Sequence, residues 1–242
     1  MEIFPDIEIA GLSVFLRKEK ALIISDVHIG LEEAMNKQGV LVPRFQLKRL
    51  LEELERIIKE TKPQKIVING DLKHEFGRIS EQEWRDTLKV LDFLGKSTKE
   101  IFLIRGNHDT ILGPIAEKRK IRVMDFLKLG KIYITHGDKV PKNKDFKDSK
   151  MVIIGHEHPA VSIREKSRSE LFKCFLVGKF GTKNLVVMPS INFVTEGTDI
   201  LRERLLSPFL DDITNFKVFV VADEVYNFGS VKSLLAHTRD SV

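Results

Sequence analysis

The sequence predicts a layered α/β fold: a four-layer α-β-β-α sandwich in which helices flank two packed mixed sheets. Three observations predict it. Short runs rich in Ile, Val and Leu recur through the first two-thirds of the chain and read as buried strands. Amphipathic helical patterns lie between them. From Val161 onward the pattern changes to strands separated by hairpin-like turns.

The elements follow in order. Ala21–Ser25 is the first buried strand. In 45–62, Leu47, Leu50, Leu51, Leu54, Ile57 and Ile58 recur at helical spacing with Glu and Lys opposite them, which predicts an amphipathic helix. Lys65–Asn69 is the next strand. Ser80 with Glu83 three residues on forms a capping box, and the helix it opens runs to about Gly95. Residues 100–105, 131–135 and Met151–Ile154 are further buried strands. Residues 161–164, 171–178, 185–188 and 217–222 then complete the second sheet. Cys174 falls in an apolar strand pattern and reads as core. Phe209, Phe216, Phe219 and Phe228 suit a dimer face as well as a core, so the oligomeric state stays open.

A chain of 242 residues suffices for one large domain, here 1–242, with its motifs in 20–160 and strands from 161–230 completing the second sheet. The single cysteine excludes an internal disulfide and suits a reducing compartment. There is neither a basic segment leading into an apolar run at the N-terminus nor an 18-residue apolar span. The expectation is a soluble cytoplasmic protein with no membrane partner. The net charge of +5 fits a polyanionic partner such as nucleic acid without requiring one. Two basic stretches, the five-lysine segment 139–150 and Arg164 to Arg168, are interspersed with Asp145, Asp148 and Glu165 and read as solvated loops. His237, in the polar C-terminal stretch, reads as exposed, and Arg105 as the partner of a carboxylate beside the site.

Five of the seven histidines fall in short polar motifs. In chain order the motifs are Asp26-Val27-His28, Gly70-Asp71, Gly106-Asn107-His108-Asp109, His136-Gly137 and Gly155-His156-Glu157-His158. Each sits where one of the buried strands ends. Ligands of open α/β sheets bind outside the carboxyl ends of the strands, so these residues are expected to converge on one rim. Histidine with carboxylate is the donor set of borderline divalent metals. The glycines allow a sharp backbone exit and close approach to a metal-bound anion. His156 and His158 are two apart, so in an extended segment they point the same way and can each reach one metal.

This ordered set resembles the calcineurin-like metallophosphoesterase superfamily over residues 20 to about 160. Gly70-Asp71-Leu72-Lys73-His74-Glu75-Phe76, with Asp26-Val27-His28-Ile29-Gly30, is most similar to small archaeal phosphoesterases related to the SbcD-type repair nucleases. The resemblance implies two divalent ions, with Mn2+ expected and Zn2+, Fe2+, Co2+ and Ni2+ also suited to the donors. It implies Asp26, His28, Asp71 and His158 on the first ion and Asp71, Asn107, His136 and His156 on the second, with Asp71 bridging. Two such ions about 4 Å apart repel by about 17 kcal/mol at an effective dielectric near 20, which a bridging carboxylate and hydroxide must offset. His108 is implied to contact the phosphate and protonate the leaving oxygen, with Asp109 orienting its ring. His74 is implied to be a substrate-side histidine; otherwise it is a polar residue steadying its own loop.

The expected activity is hydrolysis of a phosphodiester by a metal-bridging hydroxide. Two other readings compete: a nuclease acting on DNA or RNA ends, and a non-catalytic, metal-stabilised binding module in a nucleic-acid-processing assembly. The intact ligand set argues against the module. At this length the expectation is that the DNA-binding cap and ATPase-binding tail of the nucleases are missing, which puts end processing in doubt. Substrate choice is expected in loops 30–44, 74–79 and 137–150.

Overall fold

The computed structural model describes residues 1–75, 80–109, 113–119, 121–165 and 168–239. The first sheet follows chain order: β1 (Glu2–Phe4), β2 (Ile7–Ala10), β3 (Ser13–Leu16), β4 (Ala21–Ser25), β5 (Lys65–Asn69), β6 (Glu100–Ile104) and β7 (Arg122–Met124). Strands β1 to β4 are antiparallel and β4 to β7 parallel. Connection length dictates the switch, because short turns join antiparallel neighbours whereas parallel ones need a crossover. The first two turns use Asp6 and Gly11 at φ 64° and 55°. The crossovers carry α1 (Leu31–Lys37) and α2 (Gln46–Thr61) after β4, α3 (Glu81–Ser97) after β5 and α4 (Gly113–Arg119) after β6.

The second sheet contains β8 (Leu127–Leu129), β9 (Ile132–Ile134), β10 (Met151–Ile154), β11 (Pro159–Glu165), β12 (Arg168–Phe180), β13 (Lys183–Val187), β14 (Thr198–Asp199), β15 (Lys217–Val221) and β16 (Val225–Ser230). Its order is β14-β11-β12-β13-β10-β9-β8, with β15 on β12 and β16 on β15. The pairing is mixed: β10 is parallel to β9 and β13, and β12 is antiparallel to β11, β13 and β15. Two further helices, α5 (Lys144–Asp148) and α6 (Val231–Arg239), belong to this half.

Strand alternation builds the layers. In β4, Ala21 and Ile23 face the second sheet while Leu22 and Ile24 face α2 and α3. In β5, Val67 faces inward and Ile66 and Ile68 meet Leu50, Leu54, Ile57, Val90 and Leu94 of the helices. From the other side, Met151, Ile153, Phe175, Val177 and Val186 complete the inter-sheet core. The outer face of the second sheet is covered by Phe146 of α5, Val231 of α6 and the irregular segment holding Phe209, Leu210 and Phe216. The fourth layer is therefore only partly helical. Phe209 and Phe216 are buried here with Phe228 packed against them, and Phe219 is buried in the inter-sheet core, so these four phenylalanines serve the core of the chain itself. Cys174 is fully buried, as its pattern predicts.

Element ends differ from the sequence reading by a residue or two at most positions, the ordinary scatter at frayed termini. The larger difference lies in strands that the sequence reading does not include: β1 to β3 before the first one predicted, and β7, β8, β14 and β16 later in the chain. No helix among the described residues is long and apolar enough to cross a membrane. His237 and part of the Arg164-to-Arg168 turn lie outside the described side chains.

Candidate metal centre

The five motifs meet at the carboxyl ends of β4, β5, β6, β9 and β10. Backbone conformation there is unusual. Among the described residues, eight non-glycines adopt φ in the left-handed region, and five of them are Asp26, His28, Asp71, His156 and His158. Such conformations cost about 1–3 kcal/mol each and persist only where the surroundings over-determine them.

Asp26 leaves β4 with φ 54°. Its Oδ2 accepts from Ser25 Oγ at 2.7 Å and from the His156 N–H at 3.0 Å. Its carbonyl accepts from Ser190 Oγ. Its Oδ1 is buried without a hydrogen-bond partner, 3.4 Å from His158 Nε2 and 3.5 Å from His136 Nδ1. Asp71 leaves β5 after Gly70. A Cβ on Gly70, at φ 81°, would lie 2.1 Å from His136 Nδ1, so the residue must be glycine for both reasons. Asp71 Oδ1 accepts from the His108 N–H at 2.9 Å. Its Oδ2 lies between His28 Nε2 at 3.7 Å and His136 Nε2 at 3.4 Å.

The predicted ligands separate into two groups. Asp26, His28 and His158 bring ligand atoms within 4.8 Å of one another, as do Asp71, His136 and His156. Asn107 Oδ1 is 2.8 Å from His136 Nε2 and completes the second group. Asp71 Oδ2 faces both. Two nitrogen pairs meet head on, His28 Nε2 with His158 Nε2 at 3.2 Å and His136 Nε2 with His156 Nδ1 at 3.1 Å. Such atoms, with the unpartnered Asp26 Oδ1, fit a divalent cation better than they fit each other. The donors are imidazole and carboxylate, which suits the borderline metals.

Electrostatics point the same way. Burial lowers the pKa of His28, His74, His108 and His156, and brings His136 down to about 4. The rings are therefore neutral and able to ligate at neutral pH. Burial, then the charge of Asp26, raises Asp71 to about 9. Asp26 itself is also penalised by burial, but His158 outweighs that and holds it low. Without a cation, the two carboxylates do not share this pocket as two full charges.

Two sequence expectations need correction. The segment bearing His156 and His158 is not extended; both residues sit at positive φ, 65° and 49°, and this turn sends one ring to each group. Asp109 does not orient the ring of His108 by the expected contact. Its Oδ1 accepts from Leu72 N and Lys73 N, and its Oδ2 from Gly106 N, so it clamps two ligand loops together through their backbone. The His108 ring faces the carbonyl of His74 through Nδ1 instead. Arg105 pairs with Asp125 at 3.3 Å on the surface, as expected. Residues 76–79 of the expected loop 74–79 lie outside the described residues.

The supporting residues are ones the motifs did not indicate. Lys73 is fully buried, and its Nζ donates to the carbonyls of His108 at 2.8 Å and of Glu75. Glu83 forms only half of the predicted capping box. Its N–H bonds Ser80 Oγ, while its Oε1 accepts from His74 N and Glu75 N. Glu157, between two ligands, accepts from Leu206 N and Ser207 N and ties the 200–208 segment to the rim. A cavity of about 820 Å³ lined by Arg49, Glu53, Phe193, Lys173 and Glu196 contains none of the predicted ligands.

A family model described as calcineurin-like phosphoesterase matches residues 20–184. The structure of the nuclease MPE from Pseudomonas putida is similar at 22% identity, with 89% of this chain and 91% of that one covered and a TM-score of 0.64, and it shows the shared fold. The phosphoesterase YfcE from E. coli aligns at 15% identity over 87% of this chain and 97% of that one, with a TM-score of 0.44. Comparison with curated protein sequences finds no match.

Proposed function

Because the chain belongs to the calcineurin-like phosphoesterase family, we propose that it is a phosphodiesterase working with two divalent ions, Mn2+ first among them. One observation carries the proposal: two groups of convergent ligand atoms, Asp26/His28/His158 and Asp71/His136/His156, share the Asp71 carboxylate between them. In this reading Asp26, His28, Asp71 and His158 hold the first ion, and Asp71, Asn107, His136 and His156 the second. When bound, the ions would supply Lewis-acid stabilisation of a phosphoryl oxygen and acidify bound water.

The chain's own residues do the rest. His108 has its N–H on the Asp71 carboxylate and its ring Nδ1 on the His74 carbonyl, so loop and ring are fixed before substrate arrives. A carbonyl accepts only from a protonated Nδ1, so neutral His108 presents a lone pair at Nε2, and it delivers a proton to the leaving oxygen through Nε2 only from its doubly protonated form. His74 stacks on His108, with centroids 5.3 Å apart, and completes the phosphate side. Asp109 acts on this pair indirectly, by holding the 72–73 and 106 backbones in register.

The test is hydrolysis of a chromogenic phosphodiester and its matching monoester, with Mn2+ and after chelation. Mn2+-dependent cleavage favouring the diester is expected. No cleavage of either with both ions bound would overturn the enzymatic reading. A nuclease is the second reading, favoured by the likeness of fold to the Pseudomonas putida nuclease over 89% of this chain. Cleavage of labelled oligonucleotides, with binding that weakens steeply with salt, would select it.

A further inference from the structure

We infer that His74 is the outer hydrogen-bond partner of His28, fixing that ring so that Nε2 is presented to the metal. The inference rests on the proposed role of His28 as a ligand and gives His74 a duty independent of substrate.

The two nitrogens of His28 are divided between different neighbours. Nε2 faces the ligand group, 3.2 Å from His158 Nε2 and 3.7 Å from Asp71 Oδ2. Nδ1 faces His74 Nδ1 at 3.4 Å, the two rings meeting edge to face at 65°. Metal-bound histidines nearly always donate their second ring N–H to a carboxylate, a carbonyl or water, which fixes tautomer and orientation. Here the group standing in that place is a second imidazole. Neutral His74 accepts this bond through Nδ1 when its own proton is on Nε2.

The backbone brings the rings together. His28 N donates to Asp71 O at 2.9 Å, Ile29 N to Leu72 O at 3.0 Å, and His74 N to Ile29 O at 2.9 Å. A parallel bridge joins Ile29 to Lys73. The two ligand loops thus form a short zipper that sets His74 beside His28. His74 is also held from outside, because Glu83 Oε1 accepts its N–H and the His108 ring bonds its carbonyl. A side chain fixed on both main-chain atoms is suited to fixing another.

A competing arrangement is a further ion among His28, His74 and His108, whose ring nitrogens lie within 4.8 Å of one another. Neutral His28 has one lone pair in the ring plane, and Nε2 already faces Asp71 and His158. Ligating on both sides would require an imidazolate. A hydrogen bond needs no such charge.

The test is Mn2+ binding to the full chain without substrate, by equilibrium dialysis and metal analysis, together with the absorption of the Co2+-loaded protein. His74→Leu fills the space but accepts no hydrogen bond; His74→Gln offers a carbonyl acceptor. His74→Leu is expected to weaken one of two Mn2+ sites by about 10- to 100-fold and to alter the Co2+ spectrum, with His74→Gln restoring most of both. Wild-type affinity for both ions in His74→Leu would overturn the inference. So would three ions in the wild type with one lost in the variant. His28→Ala separates the premise: if it leaves both affinities unchanged, the assignment of His28 fails and takes this inference with it.

Discussion

Val14, Ile23, Val67, Ile153 and Val186, between the two sheets, are sealed from water and require only contact with their neighbours. Beyond the ends of β4, β5 and β9, Asp26, Asp71 and His136 are sealed almost as completely, yet Asp26 Oδ1 and His136 Nδ1 have no hydrogen-bond partner. β4 passes from one regime to the other within three residues, from Ile23 to Asp26 at φ 54°. The inter-sheet core gains from burial at roughly 25 cal/mol per Å² of apolar surface. The rim bears buried charge, unpartnered atoms and left-handed backbone, each of which costs stability. Stability is thus built along the bodies of the strands and chemistry just beyond their carboxyl ends, and the first offsets what the second demands.

Asp71→Asn should break this comparison most sharply. It weakens the carboxylate shared by both groups, so affinity for both ions and turnover should fall together. Loss of an outer-shell partner costs 10- to 100-fold, so loss of a bridging ligand should exceed about 100-fold. The metal-free variant should be at least as stable as the metal-free wild type, because burial and Asp26 disfavour the Asp71 charge. Metal analysis with thermal unfolding in chelator checks both. A clearly less stable metal-free variant would mean that the rim carboxylate supports the fold rather than burdening it.

Ile153→Ala is the converse. Ile153 is fully buried between the sheets, and its truncation should cost about 2–5 kcal/mol in chemical denaturation. Folded protein at low temperature should still bind its full complement of metal. Loss of metal from the folded variant would show that core and rim are not separable.

The rim was legible in the sequence because its chemistry is carried by residue types that have few other reasons to recur at strand ends. Asp26, His28, Asp71, Asn107, His136, His156 and His158 come together as their motifs imply. The backbone turn at His156 and His158 was not legible, because two-residue spacing describes a strand only while φ stays negative. The supports were not legible for a different reason. Asp109 acts on Leu72, and Lys73 on His108, across 37 and 35 residues of sequence. Such contacts exist only once β5 and β6 are paired. Glu83 showed its capping signal, but the fold directs its carboxylate to His74 and Glu75. In the sheets, long apolar strands announced themselves, whereas β1 to β3 are three or four residues each and depend on turns at Asp6 and Gly11. The four phenylalanines near the C-terminus had the composition of either core or interface, and only their packing on the two faces of the second sheet decides for core.

Lys173 gives the smallest and most selective test, because it combines the two regimes in a residue that is not itself a predicted ligand. It lies in β12, is 6% exposed, and its Nζ donates to the Thr195 carbonyl at 2.7 Å. Burial brings its pKa from 10.5 down to about 8, against the opposing charges of Glu196 and Asp26. Between pH 8 and 10.5 the unfolded chain therefore binds a proton there that the folded chain does not, and stability gains as pH rises through that window. Below pH 8 both states hold the proton and the contribution is flat. Lys173→Met loses the bond to Thr195 at every pH but removes the titration. The stability of wild type relative to this variant should thus climb by about 1–3 kcal/mol from pH 8 to 10.5 and stay level below. Denaturant unfolding of both proteins across that range measures the difference directly. A flat difference would place the ammonium in water-like surroundings, and the buried charge between core and rim would then cost the fold nothing.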